Sequence, residues 1–299
     1  MNLRPHNHGN HDFGLLFHPR RDPYDAVTIV LGTVWHDLDG RKPARSCDMR
    51  PSRIHVGTSG WVYRGWRAHL YADAPARRWL EIASRTFSSL EINGSFYSQI
   101  APATYARWRA ETPAGFRFAL KGHRFVTHYK RLRDCAESIT RLRDQASHLG
   151  DKLAAVVWQL PSNFTLDRAR LADFLRALRS WRIQHAIELR HRSWFTPDVA
   201  ALLRDAGAAA CMSDAPDFPM WREVTADFVY VRLHGHTRKY ASSYSTASLQ
   251  RWAADARQWA DHGRDVFVYF DNDAEGHAVR NALAFARLVG DQPQPARAA

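Results

Sequence analysis

The chain has 299 residues, of which 45% are hydrophobic and 12% aromatic, enough for one large packed core or two smaller ones. The formal net charge is +12, carried by 37 arginines and five lysines. Arginine-rich, solvated helix faces explain this charge, and a polyanionic partner such as nucleic acid is the alternative. Three scattered cysteines without CxxC spacing exclude a disulfide framework and predict a reducing, cytoplasmic location. No apolar stretch approaches the length of a membrane span, so we expect no membrane partner.

The two ends of the chain differ in composition from the segment between them. Residues 1–50 are rich in His, Asn, Asp, Pro and Arg, and we expect a poorly ordered N-terminal extension there. Met49 directly precedes the first strong strand, so a start at that residue is an alternative. Residues 51–289 are predicted to form the folded domain and residues 290–299 a disordered tail.

Strand and helix patterns alternate through the folded domain. Eight strands are predicted, at 54–60, 88–93, 117–122, 153–160, 185–191, 208–214, 227–235 and 265–272. Helices are predicted at 75–86, 102–111, 134–149, 167–180, 247–261 and 275–289, with another beginning at Thr196-Pro197 and ending at Gly207. This alternation indicates an α/β fold, a (β/α)8 TIM-type barrel. The rival is a doubly wound open sheet, but the segment GTSGW at 57–61 lacks the GxGxxG spacing typical of that fold.

Ionisable side chains interrupt the apolar strands at regular positions. In VYVRLHG at 229–235, Val229, Val231 and Leu233 alternate with the polar side chains. Barrel enzymes place their sites at the carboxyl ends of the strands. The inward-facing set predicted by alternation is Ser59, Trp61, Glu91, Asn93, Lys121, Gln159, Glu188, Arg190, Asp214, Arg232, His234, Asp271 and Asp273.

Carboxylates outnumber fixed cations in this set, by five to three. Crowded like charges raise one pKa, and a protonated acid beside an ionised base is a common acid–base arrangement. We therefore expect one or more of these carboxyls to be protonated near neutral pH. The alternative is a structural lattice of buried ion pairs, such as Glu188–Arg190 and Arg232–Asp271.

The predicted site shows no metal or nucleophile signature. His234 is the one inward histidine at a strand end, and the chain contains no HExxH or GxSxG spacing. We expect no cofactor, and a divalent ion held by Glu, Asp and His is the alternative. The loops that follow the strands mix aromatic and basic residues, for example in HRFVTHYKRLR at 123–133. Such loops suit stacking on bases or sugars, and ordinary packing over the barrel mouth is the alternative.

Seven segments, in this order along the chain, resemble a known family. They are GTSGWVYRGW (57–66), LEINGSFY (90–97), FALKGHRFVTH (118–128), VVWQLP (156–161), IELRHRSW (187–194), VYVRLHG (229–235) and YFDND…GHAVRNA (269–282). Together they are similar to the seventy-second family of domains of unknown function, the YecE-like proteins, over roughly 54–289. The resemblance implies a TIM-type barrel and does not imply a particular reaction.

The positions that match the family overlap the inward-facing set and extend it. Tyr97, His128, Trp194 and Asn272 are matched in addition, and we include them among the predicted substrate contacts. One departure is that the family usually has Asn-Asn where this chain has Asp271-Asn272, so a general catalytic role for Asp271 is in doubt.

Two functions are consistent with these patterns. The first is an enzyme of hydrolase or lyase type that acts by acid–base chemistry on a small polar or anionic substrate containing sugar or phosphate. Its predicted catalytic residues are Glu91, Glu188, His234 and Asp273, with Glu188 or Glu91 as base. The second is a nucleic-acid-binding or repair-type barrel that takes a flipped nucleotide into its mouth. The sequence gives no indication of oligomeric state.

Overall fold

The computed structural model describes residues 53–291. The predicted N-terminal extension and residues 292–299 of the predicted tail lie outside the described residues. Gly290 and Asp291, the first two residues of the predicted tail, are among the described residues. Gly290 ends the last helix in the left-handed backbone region (φ 74°), and Asp291 accepts a hydrogen bond from the Ser88 hydroxyl.

Within residues 53–291, nine parallel strands form one sheet. They are β1 (Ile54–Ser59), β2 (Ser89–Ile92), β3 (Arg117–Lys121), β4 (Leu153–Gln159), β5 (Gln184–Glu188), β6 (Ala209–Ala210), β7 (Met212–Asp214), β8 (Phe228–Leu233) and β9 (Asp265–Phe270). Their order is β6-β5-β4-β3-β2-β1-β9-β8-β7. The terminal strands β6 and β7 are two parts of one segment interrupted at Cys211. Because β6 pairs with β5 and β7 pairs with β8, this segment closes the sheet into a barrel.

Helices follow the strands as the alternation predicts. They are α1 (Trp79–Thr86), α2 (Gly94–Tyr97), α3 (Pro102–Glu111), α4 (Ala136–Ala146), α5 (Arg168–Leu178), α6 (Pro197–Ala206), α7 (Thr246–Asp261) and α8 (His277–Val289). The predicted signals around α6 are present: the Thr196 hydroxyl accepts from the Val199 amide, and Gly207 has a left-handed backbone (φ 64°). The (β/α)8 prediction is confirmed, although the connection at 215–227 between β7 and β8 contains no helix.

Two apolar layers lie on opposite faces of the barrel wall. The outer layer packs strand residues such as Leu90, Val156 and Ile187 against the helices. The inner layer combines small residues on β3 to β6 with aromatic rings on β8 and β9, and consists of Ala119, Ala155, Val157, Ala186, Ala209, Cys211, Phe228, Tyr230, Phe267 and Tyr269. Large rings opposite small residues fill the barrel interior without a pore.

The inward face changes from apolar to ionisable toward the carboxyl ends of the strands. On β8 the inward residues run from Phe228 and Tyr230 to Arg232, and His234 follows the strand. The chain then turns at Gly235, whose backbone is positive in φ (105°) and lies too close to the Arg238 carbonyl for a Cβ. The packed inner layer is thus the floor under the polar mouth of the barrel.

Candidate functional site

The central group of the mouth is the guanidinium of Arg232, which is fully buried. Its Nε and Nη2 lie 3.1 and 2.8 Å from the two carboxylate oxygens of Glu91. Its Nη1 donates to Glu188 Oε2 at 2.9 Å, and Nη2 also donates to Asp271 Oδ2 at 3.0 Å. One side chain therefore joins carboxylates from β2, β5 and the end of β9.

The two fully buried glutamates are hydrogen-bonded on both oxygens. Glu91 accepts from the Ser59 hydroxyl on Oε1 and from the Tyr230 hydroxyl on Oε2, at 2.7 Å for the latter. Glu188 accepts from the Ser213 hydroxyl on Oε1 at 3.0 Å. These bonds supplement those from Arg232, so both carboxylates are fixed in place.

Two further cationic or titratable side chains border this cluster. Arg190 donates from Nε to Glu188 Oε1 at 2.7 Å, and its guanidinium lies 4.1 Å from the ring centroid of Phe218. His234 is fully buried, with Nδ1 2.9 Å from Asp271 Oδ2 and Nε2 3.5 Å from Glu188 Oε1. Phe218 belongs to the irregular 215–227 connection and also meets the His234 ring edge-to-face. Periodicity gave no signal for Phe218, because it lies outside the strands and helices.

The cluster keeps two of its carboxyls ionised. Burial alone would raise the pKa of Glu188, but the charges of Arg190 and Arg232 hold that pKa well below its usual value. Burial likewise opposes ionisation of Asp271, and the charge of Arg232 together with the His234 hydrogen bond lowers the pKa of Asp271. Both groups are anions throughout the physiological pH range.

Asp273 behaves in the opposite way. Burial and the neighbouring charge of Asp271 raise the pKa of Asp273 to about 8. Its Oδ1 atom is buried without a hydrogen-bond partner in the part of the chain that the structure describes. The loop after β1 covers this position, since Trp66 Nε1 donates to the Asp273 carbonyl at 3.0 Å. Asp273 is thus the carboxyl that fits the expectation of a protonated acid at neutral pH.

Two groups at the end of β3 and in the following loop complete the mouth. Lys121 faces inward, is 8% exposed, and has its Nζ 4.3 Å from the ring centroid of Phe96. Burial and the charge of Arg232 lower the pKa of Lys121 to about 8. His128 meets Phe96 edge-to-face, and burial followed by the charge of Lys121 lowers the pKa of His128 to about 4. His128 is therefore neutral at pH 7.

Most of the predicted strand-end residues lie together at the mouth. Besides the groups above, Asn93 donates to the Ser59 hydroxyl at 3.0 Å, and Gln159 is paired in register with Glu188 across β4 and β5. The Asn93 Oδ1 atom is buried and lacks a hydrogen-bond partner within residues 53–291. The mouth thus unites Ser59, Glu91, Asn93, Lys121, His128, Gln159, Glu188, Arg190, Arg232, His234, Asp271 and Asp273.

Two strand-end predictions were wrong about side-chain direction. Trp61 was expected inside, but it packs against Trp108 of α3 at 5.1 Å between ring centroids. The chain leaves β1 at Gly60, whose backbone has φ 86°, so strand alternation does not extend to Trp61. Asp214 was also expected inside, but the inward residue is Ser213. Asp214 is two residues after Met212 on β7 and therefore points outward like Met212. Its Oδ2 atom lies 3.7 Å from Nδ1 of His236.

Three residues taken from the family pattern lie away from the charged cluster. Trp194 is fully buried and donates to the Phe164 carbonyl at 2.6 Å, so it packs the outer layer. Asn272 is also buried, and its amide donates to the Ser242 carbonyl at 2.8 Å, which fixes the loop after β8. Tyr97 is 60% exposed on the flank of the barrel. None of these three side chains contacts Arg232 or its carboxylates among the described residues.

The cluster has no arrangement of the kind that holds a metal. No group of three or more His, Cys, Asp and Glu side chains within 53–291 has the placement needed to bind an ion. The position between the carboxylates, where a divalent ion would bind, is filled by the Arg232 guanidinium.

None of the helices between residues 53 and 291 has the length and hydrophobicity that a transmembrane span requires.

Residues 55–299 match the family described as "Protein of unknown function DUF72". The chain belongs to this family. It is 25% identical over 270 residues to UPF0759 protein YunF of Bacillus subtilis, covering 79% of this chain and 94% of that protein. It is 28% identical over 143 residues to UPF0759 protein YecE of Escherichia coli K12, covering 48% of this chain and 50% of YecE.

Two solved structures of the family have the same fold. A DUF72 family protein from Thermotoga maritima superposes with a TM-score of 0.71 at 26% identity, covering 79% of this chain and 99% of that one. A DUF72 family protein from Enterococcus faecalis superposes with a TM-score of 0.70 at 20% identity, covering 83% and 100%. These comparisons establish the family and the barrel fold.

Replacing Arg232 by Met tests how much the central guanidinium contributes to the stability of the fold. The substitution leaves Glu91, Glu188 and Asp271 buried without their shared cation, so we expect a loss of about 3–5 kcal/mol in the free energy of unfolding. Urea unfolding followed by fluorescence measures this loss. The control is Arg176→Met, which removes an ion pair whose side chains are 68% and 67% exposed, and it should barely move the midpoint. Equal midpoints for the two variants would contradict the central role of Arg232.

The Asp273→Asn variant tests the raised pKa of that carboxyl. Folded protein retains a proton that unfolded protein releases between pH 4 and about 8, so the wild type loses stability as pH rises through this window. Asn lacks this titration. As pH rises, the free energy of unfolding of Asp273→Asn minus that of the wild type should therefore increase by at most about 1.4 kcal/mol per pH unit. This difference should level off above about pH 8. Urea unfolding at several pH values measures it, and a pH-independent difference would refute the assignment.

Proposed function

We propose that the protein is an enzyme that applies acid–base chemistry to a small polar substrate, containing sugar or phosphate, at the carboxyl-end mouth of the barrel. The observation that carries this proposal is the contrast between Asp271, which is paired with Arg232 at 3.0 Å, and Asp273, whose buried Oδ1 has no hydrogen-bond partner within residues 53–291. The pKa of Asp271 is accordingly lowered and that of Asp273 raised. Carboxyls that differ in this way supply an acid and an ionised neighbour at the same pH. The reaction class that fits is hydrolysis or elimination.

The exposed fractions divide the cluster into reacting and supporting groups. Glu91, Glu188 and Arg232 are fully buried and bonded to one another, so we assign them the positioning of the mouth rather than proton transfer. Asp273 is partly exposed and holds a proton, which makes it the general acid. The sequence-based expectation that Glu188 or Glu91 is the base is not part of this proposal.

The remaining partly accessible groups orient the substrate. The side chains of Arg190 and Asp271 are 9% and 10% exposed, and Lys121 is 8% exposed. Arg190 and Lys121 supply positive charge for a phosphate or carboxylate group. His234 lies behind Asp271 and holds that carboxylate in place. A cytoplasmic location fits the free, buried thiols of Cys135 and Cys211, which lie within residues 53–291.

A mixture of sugars, sugar phosphates and organic acids, followed by mass spectrometry, tests the enzyme proposal. The wild type should consume one component or more, and Asp273→Asn should slow that turnover roughly 10²-fold or more, because the general acid is lost. Asp173→Asn is the control, since Asp173 is 67% exposed on α5. Undiminished turnover by folded Asp273→Asn, or no consumption by the wild type, would contradict the proposal.

A second candidate function, binding of single-stranded nucleic acid, is favoured by one surface feature. A groove of about 370 Å³ lies on the flank of the barrel between the loops after β2 and β3. Its exposed rings are Tyr97, Phe125 and Tyr129, at 60%, 44% and 66%. The Arg124 guanidinium lies 5.5 and 5.8 Å from the ring centroids of the two tyrosines. Exposed rings with an interleaved cation suit base stacking.

Fluorescence anisotropy with a labelled 15-nucleotide oligo(dT) tests this second function. Tyr129→Ala should weaken binding roughly 5- to 150-fold, as expected from about 1–3 kcal/mol per stacked base. Leu166→Ala removes an exposed apolar side chain that does not line the groove and is the control. Absence of binding near physiological salt, or equal affinities of the two variants, would remove nucleic acid as a candidate.

A further inference from the structure

The lysines of the barrel differ in how their ammonium groups are bonded. Lys152 donates three hydrogen bonds, to the Arg109 and Thr112 carbonyls at 2.6 Å each and to the Thr112 hydroxyl at 2.9 Å. Lys130 donates to the Asp134 carbonyl at 2.7 Å, and Lys239 is paired with Asp217. Each of these three amines therefore donates to at least one oxygen acceptor.

Lys121 is the exception among the four lysines in residues 53–291. Its Nζ forms no hydrogen bond with the described residues, although the side chain is only 8% exposed. Its Nζ lies over the face of the Phe96 ring, 4.3 Å from the ring centroid. Burial of the side chain and the charge of Arg232 lower the pKa of this amine to about 8, and no oxygen acceptor among the described residues offsets them. Such an amine has a usable neutral fraction near pH 7.5.

The position of Lys121 joins this amine to the proposed site. Lys121 is the last residue of β3, at the same end of the barrel as Arg232, and the charges of Glu91, Glu188, Asp271 and Arg232 all act on it. The backbone at this point is fixed, because the Ser95 hydroxyl donates to the Lys121 carbonyl at 2.7 Å. A substrate bound in the mouth would therefore meet a nucleophilic amine whose backbone attachment point is fixed.

We propose that Lys121 forms an imine with the carbonyl carbon of the substrate, so that the substrate class is a small aldehyde or ketone. This inference rests on the proposed function, since it takes the barrel mouth as the substrate site. A buried lysine amine without competing hydrogen bonds is suited to this covalent step.

The step balances with groups at the mouth. The neutral Nζ attacks the carbonyl carbon, a C–N bond forms, and the carbonyl electron pair moves to the oxygen. That oxygen leaves as water with two protons, one from the attacking amine and one from an acid at the mouth. Asp273 is the carboxyl there that holds a proton at neutral pH. The product is a protonated imine on Lys121, and water reverses the step to release the carbonyl compound.

Reductive trapping with glycolaldehyde and with glyceraldehyde 3-phosphate tests the proposal. Each probe is incubated with the full-length protein and sodium cyanoborohydride at pH 7.5, and modified lysines are located by peptide mass spectrometry. Lys121 should be labelled at least tenfold faster than Lys152, the internal control, whose exposure is also 8% but whose amine is hydrogen-bonded. Its labelling rate should rise with pH toward a midpoint of about 8. Lys121→Arg, which keeps the charge, should show only the slow labelling of the other lysines.

Labelling of Lys121 no faster than Lys152 by either probe would overturn the imine proposal. The metabolite assay separates this failure from failure of the proposed function. If the wild type consumes a component and Lys121→Arg consumes it equally well, the imine is excluded and the acid–base site remains. If the wild type consumes nothing and Lys121 is not labelled, both proposals fail together.

Discussion

The structure depends on one buried guanidinium shared among three carboxylates. Arg232 bonds to Glu91, Glu188 and Asp271, and these groups come from strands on opposite sides of the barrel. An ion in a protein interior loses several kcal/mol of hydration, so this arrangement is stable only when its donors and acceptors are nearly all used. The hydroxyls of Ser59, Ser213 and Tyr230, together with the guanidinium of Arg190, supply further hydrogen bonds to the two glutamates.

This arrangement sets the charge of the groups around it. Arg190 and Arg232 are already paired with Glu91, Glu188 and Asp271, so a further ionised carboxylate beside them would lack a cation of its own. Asp273 is that further carboxyl, and burial beside Asp271 keeps its proton on. The positive charge of Arg232 in turn helps to lower the pKa of Lys121. A structural ion-pair network can thus shift the pKa values of an acid and an amine at its edge. The ion-pair lattice and the acid–base site, which were alternatives on the sequence alone, are therefore compatible with each other.

The sequence was a good guide where strands are regular. Alternation predicted the barrel and placed Glu91, Glu188, Arg232 and Asp271 on one inward face, because their strands carry clear apolar runs on the other face. It failed for Trp61, since Gly60 ends the alternation. It also failed for Asp214, where the small residues of AAACMSD (208–214) gave no apolar face to define the inward side.

Sequence patterns could not predict the site residues in irregular segments or the protonation states of individual side chains. Phe218 covers Arg190 from a connection without periodicity, and Ser213 joins the site through a side chain with no distinctive pattern. The raised pKa of Asp273 and the unbonded amine of Lys121 arise from neighbours brought together by folding. The sequence predicted a protonated carboxyl somewhere in the mouth, and the three-dimensional charge distribution indicates which one.

The most direct test of this account is a carboxyl ¹³C NMR titration of Asp273 in the wild-type protein. The charge arrangement around Arg232 predicts that the Asp273 carboxyl titrates with a pKa of about 8, while Asp271 remains ionised across the range. An Asp273 pKa near 4, the ordinary value for an exposed aspartate, would contradict the claim that the buried ion-pair network keeps this acid protonated.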